Sequence, residues 1–400
     1  RIKFGMEFLN YSKVSQYIKK IVFRNNRKII VFVKNKLITL DTVIPVLLEM
    51  KIRHNVSSEI IVFNKETHDA IQKNVVLRDA VNYVGSELFI TKGNKVKILR
   101  YVIVLISLIR IMNNCIKGGK IIHFRDLDVW PLKIFALLFY KNIYRMQSTA
   151  YDFKYSRVAI FDKRKITSST PVGKNMITCS KKYFINADIE KKIYKIGETR
   201  TRKSWIKYID SKSEYYFSRY HANIDTSNGF VVYILGGIDR EFTYNLFLST
   251  IKELSHATRS IPILIKPHAY TNMDNLKKGI AGLDLFHITY LHPSILATRA
   301  RVFVANGFTN TFGDAHSYGL KTVQYSNFTP NKNEYPNCSA DDMKKRSEEE
   351  FDPEFVEYFI NNDSNNFLKV MRNILKEKYK KSSFKGCDTG DNGLFQSFLD

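Results

Sequence analysis

The sequence predicts an α/β protein of two doubly wound, Rossmann-like domains facing each other across a cleft. Three observations predict it. Short runs rich in Ile and Val alternate with segments of helical period, and this alternation occurs twice, on either side of a polar stretch at 200–228. The third is length, because 400 residues suffice for two cores at about 100–200 residues per domain. Hydrophobic residues make up 44% of the chain and aromatic residues 13%, with no low-complexity block, which excludes a disordered chain.

In the first half, strands are expected at 28–33, 59–63, 120–123, 142–146, 158–161 and 175–179. Helices are expected at 39–51, 65–73, 97–113 and 127–139, where apolar residues recur three or four apart and suffice to cover one sheet face. The second half predicts strands at 229–235, 261–265, 285–290, 302–305 and 321–325. Helices at 244–258, 272–280, 293–299 and 312–318 separate them. The stretch 200–228 is charged and tyrosine-rich with no clean strand period, and is expected to be the linker above the cleft. A loop is expected over 326–350 from its Asn, Pro and Ser content. A helix is expected over 352–380, with Phe355, Val356, Phe359, Phe367, Val370 and Ile374 on one face, followed by a tail. The domain boundaries implied are 1–199, 200–228, 229–350 and 351–400. The chain opens on Arg1 rather than Met, as a piece of a longer polypeptide would.

Lys and Arg number 63 against 38 Asp and Glu, a net charge of +25. Such a surplus attracts phosphates, nucleic acids or anionic headgroups. No recognition helix, zinc finger or RNP-like strand carries it, so nucleic acid is not the expected partner. An anionic donor used beside an anionic membrane accounts for the excess. Cys115, Cys179, Cys338 and Cys387 lie far apart without metal-finger spacing, which fits a reducing compartment and no structural zinc. The most apolar stretch, 101–109, is about half of the ~20 residues needed to span a bilayer. The expected location is cytoplasmic, with peripheral contact at the inner face of the membrane.

In parallel sheets ligands bind where the strands end, so residues just past each expected strand are the candidates. Lys266, Pro267 and His268 follow one strand, where a cation and an imidazole can meet a phosphate or protonate a leaving oxygen. Asn306, Gly307, Phe308, Thr309, Asn310 and Thr311 run from another strand into a helix, where backbone N–H groups suit an anion, although Thr309 or Asn310 would equally serve as an ordinary cap. Gly236 and Gly237, ahead of Asp239 and Arg240, let the backbone approach a ligand. In the first half Gln147 to Asp152 and, after another strand, Arg125 line the acceptor side. Asp126 and Asp128 form an Asp-x-Asp, but at the mouth of a helix such carboxylates need no metal. No Walker motif, nucleophile elbow or HExxH zinc motif is present.

The turn Lys266-Pro267-His268 and the loop Asn306 to Thr311, two strands later, resemble the paired nucleotide-binding loops of bacterial CMP-sugar transferases of surface polysaccharides, the polysialyltransferases and Kdo transferases. The similarity covers mainly residues 229–330. It implies a GT-B fold and transfer of an acidic sugar, Kdo before sialic acid, from CMP to a glycan, with no metal or cofactor. It also implies that Lys266, His268, Thr309, Asn310 and Thr311 hold the CMP phosphate. Ala269 stands where the family has a second proline. Gln147-Ser148-Thr149 stands where it has an acidic motif, which leaves Asp152 and Asp239 as alternative bases or nucleophiles. CDP-glycerol phosphotransferases carry a similar loop pair.

Overall fold

The computed structural model describes residues 28–33, 37–89, 97–124, 127, 132–146, 172–178, 192–268, 270–307, 309–327, 355–381, 390 and 393–400. The first sheet is built from β1 (Ile29–Val33), β2 (Ser58–Val62), β3 (Gly85–Phe89), β4 (Lys120–His123), β5 (Ile143–Met146), β6 (Asn175–Thr178) and β7 (Lys192–Lys195). Its helices are α1 (Leu37–His54), α2 (Lys65–Lys73), α3 (Val75–Val84), α4 (Lys97–Ile116) and α5 (Lys133–Leu138). Helix α6 (Lys203–Tyr220) leads into the second sheet of β8 (Phe230–Leu235), β9 (Ile263–Pro267), β10 (Phe286–Ile288), β11 (Ala300–Ala305), β12 (Lys321–Ser326) and β13 (Tyr358–Asn361). Between and after these strands lie α7 (Glu241–Thr258), α8 (Met273–Gly279), α9 (Pro293–Ala297), α10 (Thr311–Ser317), α11 (Ser364–Lys376) and α12 (Leu394–Leu399).

Every strand pairing among the described residues is parallel. The strand orders are 3-2-1-4-5-6-7 in the first sheet and 10-9-8-11-12-13 in the second, so each winds outward in both directions from its first strand. The central strands β1 and β8 are buried on both faces, which is why Ile-Ile-Val-Phe-Val and Phe-Val-Val-Tyr-Ile-Leu read as unbroken apolar runs. Gly229, with φ of 71°, opens β8. A Cβ there would meet Arg301 and Tyr379 at 2.7 Å, so the turn into the strand requires glycine.

One continuous apolar cluster runs from β1 and α1 through Trp205, Ile209 and Tyr216 of α6 to Phe230, Ile295 and Phe312 of the second domain. Within the stretch expected as the linker, 200–228, residues Lys203–Tyr220 form helix α6, packed on α1 from one domain and α9 from the other. Its buried face, Trp205, Ile206, Ile209, Ser213, Tyr216 and Phe217, follows the helical period inside a charged composition.

Three further differences concern the ends of the sheets. The helix expected over 352–380 is broken into β13 and α11, because Asn362 takes φ of 52° and the Asp363 side chain then caps α11 by accepting the N–H of Asn366 at 2.9 Å. The second sheet thus extends past residue 350. Strands β3 and β7 and helix α3 add elements where none were expected, while the strand expected at 158–161 lies outside the described residues. The return to the first domain is made by α12, in the stretch expected as a tail. Tyr144 donates to the carbonyl of Ser397 at 3.0 Å and packs edge-on against Phe398 at 4.9 Å. The guanidinium of Arg202 lies 5.6 Å from the Phe395 ring.

Candidate active site at the sheet edges

The register of the second sheet decides what its motifs can do together. Lys266 pairs with Ile234 and Pro267 with Leu235, while Ala305 pairs with Ile234 on the other side of β8. Gly236, His268 and Asn306 therefore leave three adjacent strands at one edge, with the glycines in the middle. Strands lie about 4.8 Å apart, so β9 and β11 are separated by roughly 10 Å, within reach of one nucleotide. No heavy atom lies within 4 Å of a Cβ built on Gly236 or Gly307, and Gly237 would meet only the Asp239 carboxylate at 3.7 Å. The edge is open at its centre.

Thr271 sets the shape of the histidine turn. Its hydroxyl donates to the carbonyl of Gly236 at 2.8 Å and accepts the N–H of His268 at 2.8 Å, tying the exit of β9 to that of β8. The imidazole is exposed, and its Nδ1 accepts the N–H of Tyr270 at 3.3 Å. The neutral ring consequently carries its proton on Nε2, ready to donate. Partial desolvation of the ring where it lies in the turn, and then the charge of Lys266, hold the His268 pKa below the usual imidazole value. Lys266 donates from Nζ to the carbonyl of Tyr290 at 3.3 Å, and burial pulls its ammonium down to about 8 against the attraction of Asp41.

The other expected residues fall into distinct places. Asp239 is exposed, just ahead of α7. The Asn306 side chain faces into its own domain: Oδ1 accepts from Tyr233, and Nδ2 donates to Thr250 at 2.8 Å and to the carbonyl of Tyr325 at 2.9 Å. Its side chain is committed to holding β11, leaving the backbone beyond it for a ligand. Thr309 precedes Asn310, the N-cap of α10; its carbonyl accepts from Phe312 at 3.1 Å and its hydroxyl meets that of Thr311 at 3.0 Å. Asn310 presents a buried Oδ1 with no hydrogen-bond partner, an acceptor that a ligand donor would satisfy. Arg125, Gln147 and Asp152, as well as Asp126 and Asp128, lie outside the described residues.

No protein-family profile matches the chain, and no curated protein matches it by sequence. Solved structures do. A UDP-N-acetylglucosamine 2-epimerase superposes with a TM-score of 0.54 at 12% identity, covering 93% of this chain and 94% of its own. A putative UDP-N-acetylglucosamine 2-epimerase from Listeria monocytogenes gives 0.51 at 8% identity, covering 94% and 95%. The chain has the GT-B fold.

In this GT-B chain the two domains meet through a polar seam that no local motif announces. Asp41, in the second turn of α1, pairs with Nε2 of His292 at 3.1 Å, and His292 is wholly buried with Nδ1 accepting the N–H of Ser294 at 3.1 Å. The Ser294 hydroxyl donates to Asp314 at 2.5 Å, and Trp205 donates to Ser294 at 3.2 Å. Arg200 completes the seam, reaching Asp314 at 2.7 Å and the carbonyl of Asn310 at 2.8 Å. Burial works to raise the Asp41 pKa but is outweighed by the His292 hydrogen bond and the charges of His292, Arg200 and Lys266, so the carboxyl sits below its ordinary value. Pro45 lacks an N–H, so the carbonyl of Asp41 receives no bond from residue 45. A second buried pair, Arg202 to Glu49 at 2.6 Å, ties α6 to α1. Among the described residues no cluster of three His, Cys, Asp or Glu side chains is arranged to hold a metal.

Proposed function

We propose that the chain is a glycosyltransferase that moves an acidic sugar, Kdo before sialic acid, from its CMP donor to a growing, lipid-linked surface glycan. The observation that carries this reading is the register that brings His268, Gly236 and the Asn306–Thr311 loop to one open edge opposite Asp41 of the first domain. The donor phosphate lies against the Nε2–H of His268 and the Lys266 ammonium, which oppose the negative charge that grows as the sugar leaves. Asn310 Oδ1 accepts from the nucleotide. Of the carboxylates, Asp239 from the second domain and Asp152 from the first remain the two bases or nucleophiles in view; Asp41 acts as counter-ion to Lys266 and Arg200.

A UDP-sugar reading has one observation in its favour: the solved structures named above are called UDP-N-acetylglucosamine 2-epimerases. One experiment separates the two. The protein is incubated with CMP-Kdo, CMP-sialic acid and UDP-N-acetylglucosamine, and released nucleotide is measured. Release of CMP with UDP silent supports the proposal; release of UDP, or epimerised UDP-sugar, replaces it.

A further inference from the structure

Helix α4 carries two faces that differ from what a core-covering helix needs. Ser107, Ile111 and Cys115 are buried against the first sheet. On the opposite side Leu105, Ile109, Met112 and Ile116 are exposed, Ile116 by 72%. At 100° per residue these four lie within an arc of about 60°, so they form one apolar stripe along the helix. Helix α5 covers the same sheet face, since its Ala136 joins Ile111, Cys115, Ile30 and Ile143 in one buried cluster. It adds exposed Ile134, Leu137 and Leu138, and Tyr140 follows.

The charged residues of the two segments that carry this stripe have one sign. Neither α4 nor the segment 132–146 contains an Asp or Glu, and Lys117 and Lys141 are exposed at its margin. Arg110 takes no part, being paired with Glu59 at 2.7 Å. No helix among the described residues is long and apolar enough to cross a membrane. An apolar face with cationic margins matches a surface that is apolar below and anionic above. Two copies of this chain, each with a net charge of +25, would instead bring like charges together around the stripe.

We propose that the outer face of α4 and α5 is a docking surface for an anionic lipid bilayer, with Ile109, Ile116, Leu137 and Leu138 entering the interface and Lys117 and Lys141 meeting headgroup phosphates. That this orients the first domain toward a lipid-linked acceptor rests on the transferase reading; the contact itself does not.

The test is flotation with vesicles of phosphatidylcholine alone and of phosphatidylcholine mixed with phosphatidylglycerol, using the wild-type chain and the combined variant Ile109→Ser, Leu137→Ser, Leu138→Ser. All three positions are exposed, so the variant keeps its thermal transition and circular dichroism. The wild type floats with the mixed vesicles and at least about tenfold less with the neutral ones, and the triple variant loses at least about tenfold of the mixed-vesicle binding. Lys117→Glu with Lys141→Glu weakens it in the same direction. Equal binding to both vesicles, undiminished binding by the triple variant, or a wild-type dimer that the triple variant dissolves would each overturn the proposal. Nucleotide release is followed without vesicles in parallel. Its absence alongside intact vesicle binding refutes the transferase reading and leaves the surface standing.

Discussion

Two polar regions border the cleft, and they are built in opposite ways. At the strand-end turn, His268 is exposed, Lys266 reaches a backbone carbonyl, and burial moves both toward their neutral forms. In the seam, Arg200, Asp314, Ser294 and His292 are buried and mutually bonded, and their neighbours keep Asp41 ionised. Groups whose charge is under-compensated await a partner from outside; groups whose charge is matched hold two domains in one orientation. Proximity to a cleft does not separate the two roles, whereas hydrogen-bond completeness does.

Substitutions sharpen this contrast, and the largest effects fall on opposite observables. Arg200→Ala leaves Asp314 as a buried carboxylate without its guanidinium, so denaturant unfolding should show a loss of about 3–5 kcal/mol; an unchanged midpoint would remove the seam from the account. His268→Ala should leave stability within about 0.5 kcal/mol, since the ring is exposed, yet lower turnover of the CMP-sugar by about a hundredfold. Kinetics beside a melting curve separate these outcomes.

Nucleotide affinity should fall as pH rises through about 8, because Lys266 loses its charge there rather than near the ordinary lysine value. The loss should be about tenfold, and Lys266→Met should flatten the profile. The seam responds at the other end of the scale. Asp41 has a folded pKa below its ordinary value, so its contribution is complete above the unfolded pKa and is lost as pH falls through the folded one. Asp41→Asn should therefore reduce the acid sensitivity of unfolding and, by removing the charge that attracts the Lys266 ammonium, should also move the fall in nucleotide affinity to lower pH. The smallest effect is Trp205→Phe, which removes the bond to Ser294 and should cost about 1 kcal/mol.

What the sequence disclosed follows the same divide. Strands β8, β9 and β11 were legible because sheets covered on both faces require unbroken apolar runs, and the residues after them follow directly. Helix α6 was not, because Trp205, Ile209 and Tyr216 keep helical spacing among lysines and aspartates that dominate the composition. Tyr358–Asn361 has the sequence of a helix because Phe355, Val356 and Phe359 fit a spacing of three to four, and only Asn362 and Asp363 mark the break. The Asp41–His292 pair spans 251 residues and has no local pattern at all. Lys266 and His268 announce themselves by position on a strand, whereas Asp41, Ser294 and Asp314 acquire meaning only once both sheets are folded.

The proposed transferase requires one nucleotide to sit across the ends of β8, β9 and β11, over Gly236. A Cβ at Gly236 meets nothing within 4 Å, so Gly236→Phe should fold with an unchanged thermal transition while its ring fills the space a nucleotide needs. Calorimetric titration of CMP into the wild type and this variant is the direct measurement. Binding by the wild type with at least a tenfold loss in the variant is expected; equal binding by both, or no nucleotide bound by the wild type, would contradict the account.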